Sequence, residues 1–157
     1  VIDFHGHSCP GLAIGIRASE LARRQLGDLS DSELVCIAET DMCGVDAVQY
    51  LTGCTFGKGN LIHRDYGKMA FTFFNRKEGR GFRCLLKPGS RDEIYEEMSA
   101  LQRKIACGEA SDDEQTRCNE LRRQMEERLM VSDLDELFEI FLFKTETGYI
   151  THDIGIF

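Results

Sequence analysis

The segment Glu33 to Thr40 most constrains the fold. Leu34, Cys36 and Ala38 fall on one side of an extended chain, and Val35 and Ile37 on the other. A strand apolar on both faces belongs in the interior of a sheet. The rest of the chain supplies neighbours for it. Lys68 to Phe74, rich in aromatic residues, reads as a second strand, with Gly81 to Leu86 as its hairpin partner. Pro88 and Gly89 end that sheet region. Leu61 to Arg64 and Phe138 to Phe143 are shorter strand candidates.

Helices surround these strands. The first runs from Pro10 to Gly27, with Pro10 at the first helical position, Cys9 as N-cap and Gly27 as the stop. Gly11, Gly15, Ala18 and Ala22 form a small-residue seam on it, and Leu12, Ile16 and Leu26 an apolar stripe. A short helix from Val45 to Leu51 follows the turn Asp41-Met42-Cys43-Gly44. Residues 91–130 form a charged helical hairpin, its first helix striped by Ile94, Met98, Leu101 and Ile105. Ser111 and Glu114 make a capping box for its second helix, which aligns Leu121, Met125 and Leu129. The tail from Thr145 onward, with His152, is ambiguous.

Composition excludes several classes of function. With 42% hydrophobic and 29% charged residues in 157, the chain is globular and of a size for one domain, 1–157. A net charge of −8 argues against nucleic acid and against an anionic membrane surface. No apolar run reaches the ~18 residues of a membrane span, and no basic start precedes an apolar stretch as in a signal peptide. Seven cysteines, an odd number in a chain of this length, read as reduced thiols in a cytoplasm.

Three constellations carry chemistry. In His5-Gly6-His7-Ser8-Cys9, two imidazoles and a thiol lie within five residues at a helix start. In an extended segment His5, His7 and Cys9 share one side, and they are the ligand types preferred by zinc, nickel or iron. Cys9 at a helix N-terminus is also favoured as thiolate. In Cys43-Gly44-Val45-Asp46, a second thiol occupies a strand-to-helix junction, with Asp46 and then Gln49 on the helical face beside it. The bland alternative is a cysteine packed as a small hydrophobe, which fits Cys36 and Cys84 inside their strands better than Cys43. Cys107 and Cys118 flank the hairpin turn and read as incidental. The third constellation, Gly53 to Asn60, resembles a phosphate loop only superficially. The glycine spacing is one residue short, Gly59 stands where Ser or Thr would hold magnesium, and a helix precedes it. Lys58 with the amides of Gly57 and Gly59 could still hold an anion, and Cys54 could join a thiolate site. His63 reads as part of a surface turn.

The blocks HGHSCPGLAIGIRAS (5–19), CGVDAVQYLTGCTFGKGNL (43–61) and DYGKMAFTF (65–73), in this order, resemble the FmdE family of formylmethanofuran dehydrogenase components. The likeness covers residues 1 to about 145. It implies a shared α+β core, with a mixed or antiparallel sheet packed by the N-terminal helix and the helical hairpin added, and often a homodimer. The matching site positions are His5, His7, Cys9, Cys43, Asp46, Cys54 and Lys58. Some members add a C-terminal zinc finger of paired cysteines, a pattern absent after Cys118. The family is named for a molybdenum- or tungsten-dependent enzyme that reduces carbon dioxide.

The leading expectation is therefore a metal-binding accessory protein of anaerobic molybdenum, tungsten or one-carbon metabolism, working beside partner metalloenzyme subunits. His5, His7, Cys9, Cys43 and Cys54 are the ligand candidates, and zinc heads the ions ahead of nickel and iron. One rival is a thiol enzyme: Cys43 or Cys9 is the nucleophile, His7 the base, Asp46 a supporting carboxylate, and Lys58 orients an anionic substrate. The other is a structural module in which the hairpin mediates dimerisation.

Overall fold

The computed structural model describes residues 1–28, 33–88 and 92–145. Gly89, Arg91 and the tail with His152 lie outside them. The elements in chain order are α1 (Ile2–His5), α2 (Pro10–Leu26), β1 (Leu34–Ala38), α3 (Gly44–Thr52), β2 (Leu61–His63), β3 (Ala70–Asn75), β4 (Arg80–Leu86), α4 (Glu93–Ala106), α5 (Asp112–Val131), α6 (Leu134–Leu137) and β5 (Phe138–Lys144). The five strands form one sheet in the order β2-β1-β3-β4-β5. β1 and β2 are parallel, and every other pair is antiparallel. The architecture is thus α+β with a mixed sheet.

β1 sits inside the sheet with all five residues buried, as its two apolar faces demand. Its parallel pairing with β2 requires a crossover, and α3 with the glycine-rich loop provides it. The main core lies between the sheet and the helices. Phe71, Phe73 and Phe82 meet Leu21 and Ala18 of α2 and Leu121, Met125 and Leu129 of α5 there. The hairpin is therefore anchored: α5 buries its apolar line in the core, while Arg117 makes a bidentate pair with Glu97 of α4 at 2.8 and 3.0 Å on the outside. The capping box of Ser111 and Glu114 is formed. Among the described residues no helix is long and apolar enough to cross a membrane.

Two local features place the site. The first is the seam between α2 and α3. A Cβ on Gly15 would lie 2.1 Å from the carbonyl oxygen of Gly44, and one on Gly11 would lie 3.2 Å from the Cβ of Cys43. Only glycine lets these helices approach so closely, and the approach brings their first turns together. The second is the N-terminal segment, where a helical turn stands in place of the extended segment that would align His5, His7 and Cys9. Ile2–His5 is helical, and Gly6 takes a left-handed conformation (φ 93°) that turns the chain back. Strand alternation therefore does not gather His5, His7 and Cys9. A helical turn and its reversal do.

Candidate metal centre

Cys9 and Cys43 are the N-cap residues of α2 and α3. Cys9 is buried, and its sulfur accepts a hydrogen bond from the amide of Leu12 at 3.4 Å. That bond satisfies one of the free N–H groups of the helix start and fixes the sulfur in place. Cys43 is half-buried at the matching end of α3. Burial, then a hydrogen bond and the neighbouring charge of Cys9, push its thiol pKa upward.

The imidazoles complete the arrangement. His5 ends α1, and its Nδ1 lies 2.7 Å from Oδ2 of Asp46. Its Nε2 faces Cys9, 4.0 Å from the sulfur. A carboxylate on one ring nitrogen holds the proton there and leaves the other nitrogen as a free ligand atom, an arrangement typical of metal-bound histidine. Gln49 supports Asp46 in turn, its side-chain amide donating to Oδ1 at 3.3 Å. His7 is exposed, with its ring centre 4.5 Å from that of His5. One ligand atom each from His5, His7, Cys9 and Cys43 lie within 4.8 Å of one another. A tetrahedral zinc site with these ligands has ligand-to-ligand distances of about 3.3–3.8 Å. Small rotamer adjustments close that gap, so the ligand types and the geometry both fit a four-coordinate divalent ion.

The remaining candidates lie elsewhere. Cys54 does not join this group: it is fully buried, and its thiol donates to the carbonyl of Leu34 at 3.7 Å. It belongs to a core sulfur group with Cys36 and Cys84, close enough for each to raise the pKa of Cys36, after burial itself. Burial lifts Cys84 to about 12, and its thiol donates to the carbonyl of Phe71 at 3.4 Å. Lys58 folds back on its own loop, its ammonium donating to the carbonyl of Gly53 at 3.0 Å. Gly57 and Gly59 face open space, so neither is a glycine because a neighbour crowds it. His63 lines a separate cleft of about 270 Å³, shared with Thr40, Asp41, Asp46, Gln49 and Phe56.

The structure also adds residues that the spacing did not reveal. The Ser8 hydroxyl donates to Glu126 of α5 at 2.5 Å, joining the second helix of the hairpin to the edge of the site. These residues are 118 positions apart, and the charged face of α5 looks in sequence like any solvated helix. Glu39 and Arg83 form a buried bidentate pair at 2.5 and 2.7 Å, with the guanidinium 5.9 Å from the ring centre of Phe141. Arg83 is satisfied within the sheet and forms no part of the cluster.

Comparison with known proteins bears on the family and the fold. Residues 4–139 match the family model described as FmdE, Molybdenum formylmethanofuran dehydrogenase operon. A crystal structure of an FmdE-like protein of the tungsten formylmethanofuran dehydrogenase type, from Syntrophus aciditrophicus, is similar with a TM-score of 0.61 and 28% identity, over 94% of this chain and 70% of that one. A probable S-adenosyl-L-methionine-binding protein of Archaeoglobus fulgidus is 33% identical over 126 residues. That match takes in 75% of this chain, which spans only 34% of the relative's length.

Proposed function

The chain belongs to the FmdE family, and from that premise we propose that it is a metal-binding accessory protein in which His5, His7, Cys9 and Cys43 hold one divalent ion. The convergence of four ligand atoms from α1, the following turn and two helix caps carries this reading. Zinc is the first candidate, because two imidazoles and two thiolates in tetrahedral reach are its usual shell. Nickel and iron accept the same ligands. Such an ion would act as a Lewis acid and would neutralise the paired thiolates. The chain's own part is to fix the ligands: Asp46 orients His5, Gln49 orients Asp46, and the Leu12 amide orients Cys9.

The further reading is a cytoplasmic homodimer serving the subunits of a molybdenum or tungsten metalloenzyme in anaerobic one-carbon metabolism. The S-adenosyl-L-methionine in the relative's name is not carried over, because most of that protein lies outside the match. The thiol-enzyme alternative is less well supported. Lys58, the group that would orient its anionic substrate, is engaged with its own loop.

Metal content per chain, measured by plasma mass spectrometry on anaerobically purified protein, tests the proposal. About one ion per parent chain is expected, and none in the Cys9→Ala, Cys43→Ala double variant. A parent that carries no metal and takes up none on titration with zinc, nickel or iron would overturn it.

A further inference from the structure

An open groove of about 440 Å³ adjoins the metal centre and shares His7 with it. Its other walls are Ser8 and four residues of α5: Asn119, Arg122, Arg123 and Glu126. The four α5 residues recur at helical spacing, so one face of the helix is turned to the groove. Glu126 is occupied by the Ser8 hydroxyl. Arg123 approaches only Glu127, at 3.9 Å, a loose pair between two exposed side chains. Arg122 is half-buried and makes no side-chain hydrogen bond or ion pair among the described residues. Among the described residues, the other arginines at least partly buried all hold carboxylates: Arg17 pairs with Glu20, Arg83 with Glu39 and Arg128 with Asp92. The Arg122 nitrogens still reach solvent, so a planar fork without a protein partner stands at the wall of an open groove, free to meet an oxyanion.

We propose that this groove, which shares His7 with the metal centre, takes a small oxyanion, a carboxylate or a phosphate group, on the Arg122 fork with Arg123 beside it. The proposal rests on the metal reading above for its partner ion, but the groove can be tested apart from it. Arg122 takes the place that the sequence suggested for Lys58. Its planar fork matches two oxygens of a carboxylate or phosphate, whereas a lysine offers only a point charge. His7, exposed on the groove side, is the ligand that a bound anion meets first.

The full chain loaded with cobalt(II) has visible bands that report its ligand field. Inorganic phosphate and acetate are titrated in separately at constant ionic strength. A saturable band change with either probe is expected, phosphate alone indicating a phosphate-bearing ligand and acetate alone a carboxylate. Arg122→Gln should weaken the apparent affinity about ten-fold or more at unchanged cobalt content, and Arg122→Lys should recover part of it. No band change with either probe, or one that Arg122→Gln leaves intact, overturns the proposal. Failure of the chain to take up cobalt would count against the metal reading instead. In that case, phosphate-induced shifts of the Asn119 and Arg122 amide resonances in metal-free protein decide the groove, and their absence sinks it.

Discussion

The molecule contains two groups of cysteines, and the same side chain has opposite surroundings in them. Cys9 and Cys43 cap two helices beside two imidazoles, with one side open to solvent. Cys36, Cys54 and Cys84 are sealed in the sheet core, where two of the thiols donate to backbone carbonyls. In the first group the neighbours are ligand atoms and helix N-termini, which suit a bound cation and thiolates. In the second, burial dominates: it raises the thiols of Cys36 and Cys84 despite Arg83 beside Cys84, and the three side chains pack as small hydrophobes. A cysteine's role here is set by what surrounds it and not by how near in sequence another cysteine lies. Cys54 is only 11 residues from Cys43 and belongs to the other group.

The largest expected effect separates the two groups directly. Cys9→Ala should abolish stoichiometric metal binding, while Cys54→Ala should leave metal content intact and cost about 1 kcal/mol of stability. Metal analysis and urea unfolding of both variants check this. Loss of metal from Cys54→Ala would break the distinction. Next comes alkaline pH. Cys84 is raised in the folded chain from its ordinary 9.0 to about 12. The folded state therefore keeps a proton that the unfolded state releases, and stability present below about pH 9 is lost as pH rises toward 12. The loss is about 1.4 kcal/mol per pH unit for this thiol, or about 4 kcal/mol over the window. Urea unfolding from about pH 8 to 11 should show a shallower decline in Cys84→Ala, and parallel curves would refute the assignment.

Gly15→Ala tests how the first group is assembled. The added methyl meets the Gly44 carbonyl, so the helices must part, at a cost of about 3 kcal/mol. Metal affinity should fall as well, because Cys9 and Cys43 ride on those helices. Calorimetric metal titration alongside thermal unfolding would show both losses, and a variant of parental affinity would mean that the seam does not position the site. Asp46→Asn gives the smallest effect. It keeps a hydrogen-bond acceptor for His5 but removes the charge, so metal affinity should drop about 10- to 100-fold with the fold intact. A competition titration with a chelator measures it.

Local patterns in the sequence were read correctly wherever a single element decided them. Pro10, Cys9 and Gly27 bounded α2, the apolar faces of 34–38 placed β1 inside the sheet, and Ser111 with Glu114 started α5. The residue types His5, His7, Cys9 and Cys43 also marked themselves, because imidazoles and thiols at helix starts are few and chemically distinctive. The route by which the N-terminal ligands meet was misread. An extended segment would align His5, His7 and Cys9, but Gly6 in a left-handed conformation makes a turn, and one glycine's φ cannot be read from spacing.

What the sequence by itself determined was which residues have the chemistry to bind a metal and which elements carry them. Only the tertiary structure decided which of them meet. Convergence depends on the contact of Gly15 with Gly44, on the hydrogen bond from His5 to Asp46 and on the approach of α5 to Ser8. Each joins positions 29 to 118 residues apart. Local sequence does not encode such separations, because packing of the whole core fixes them at once.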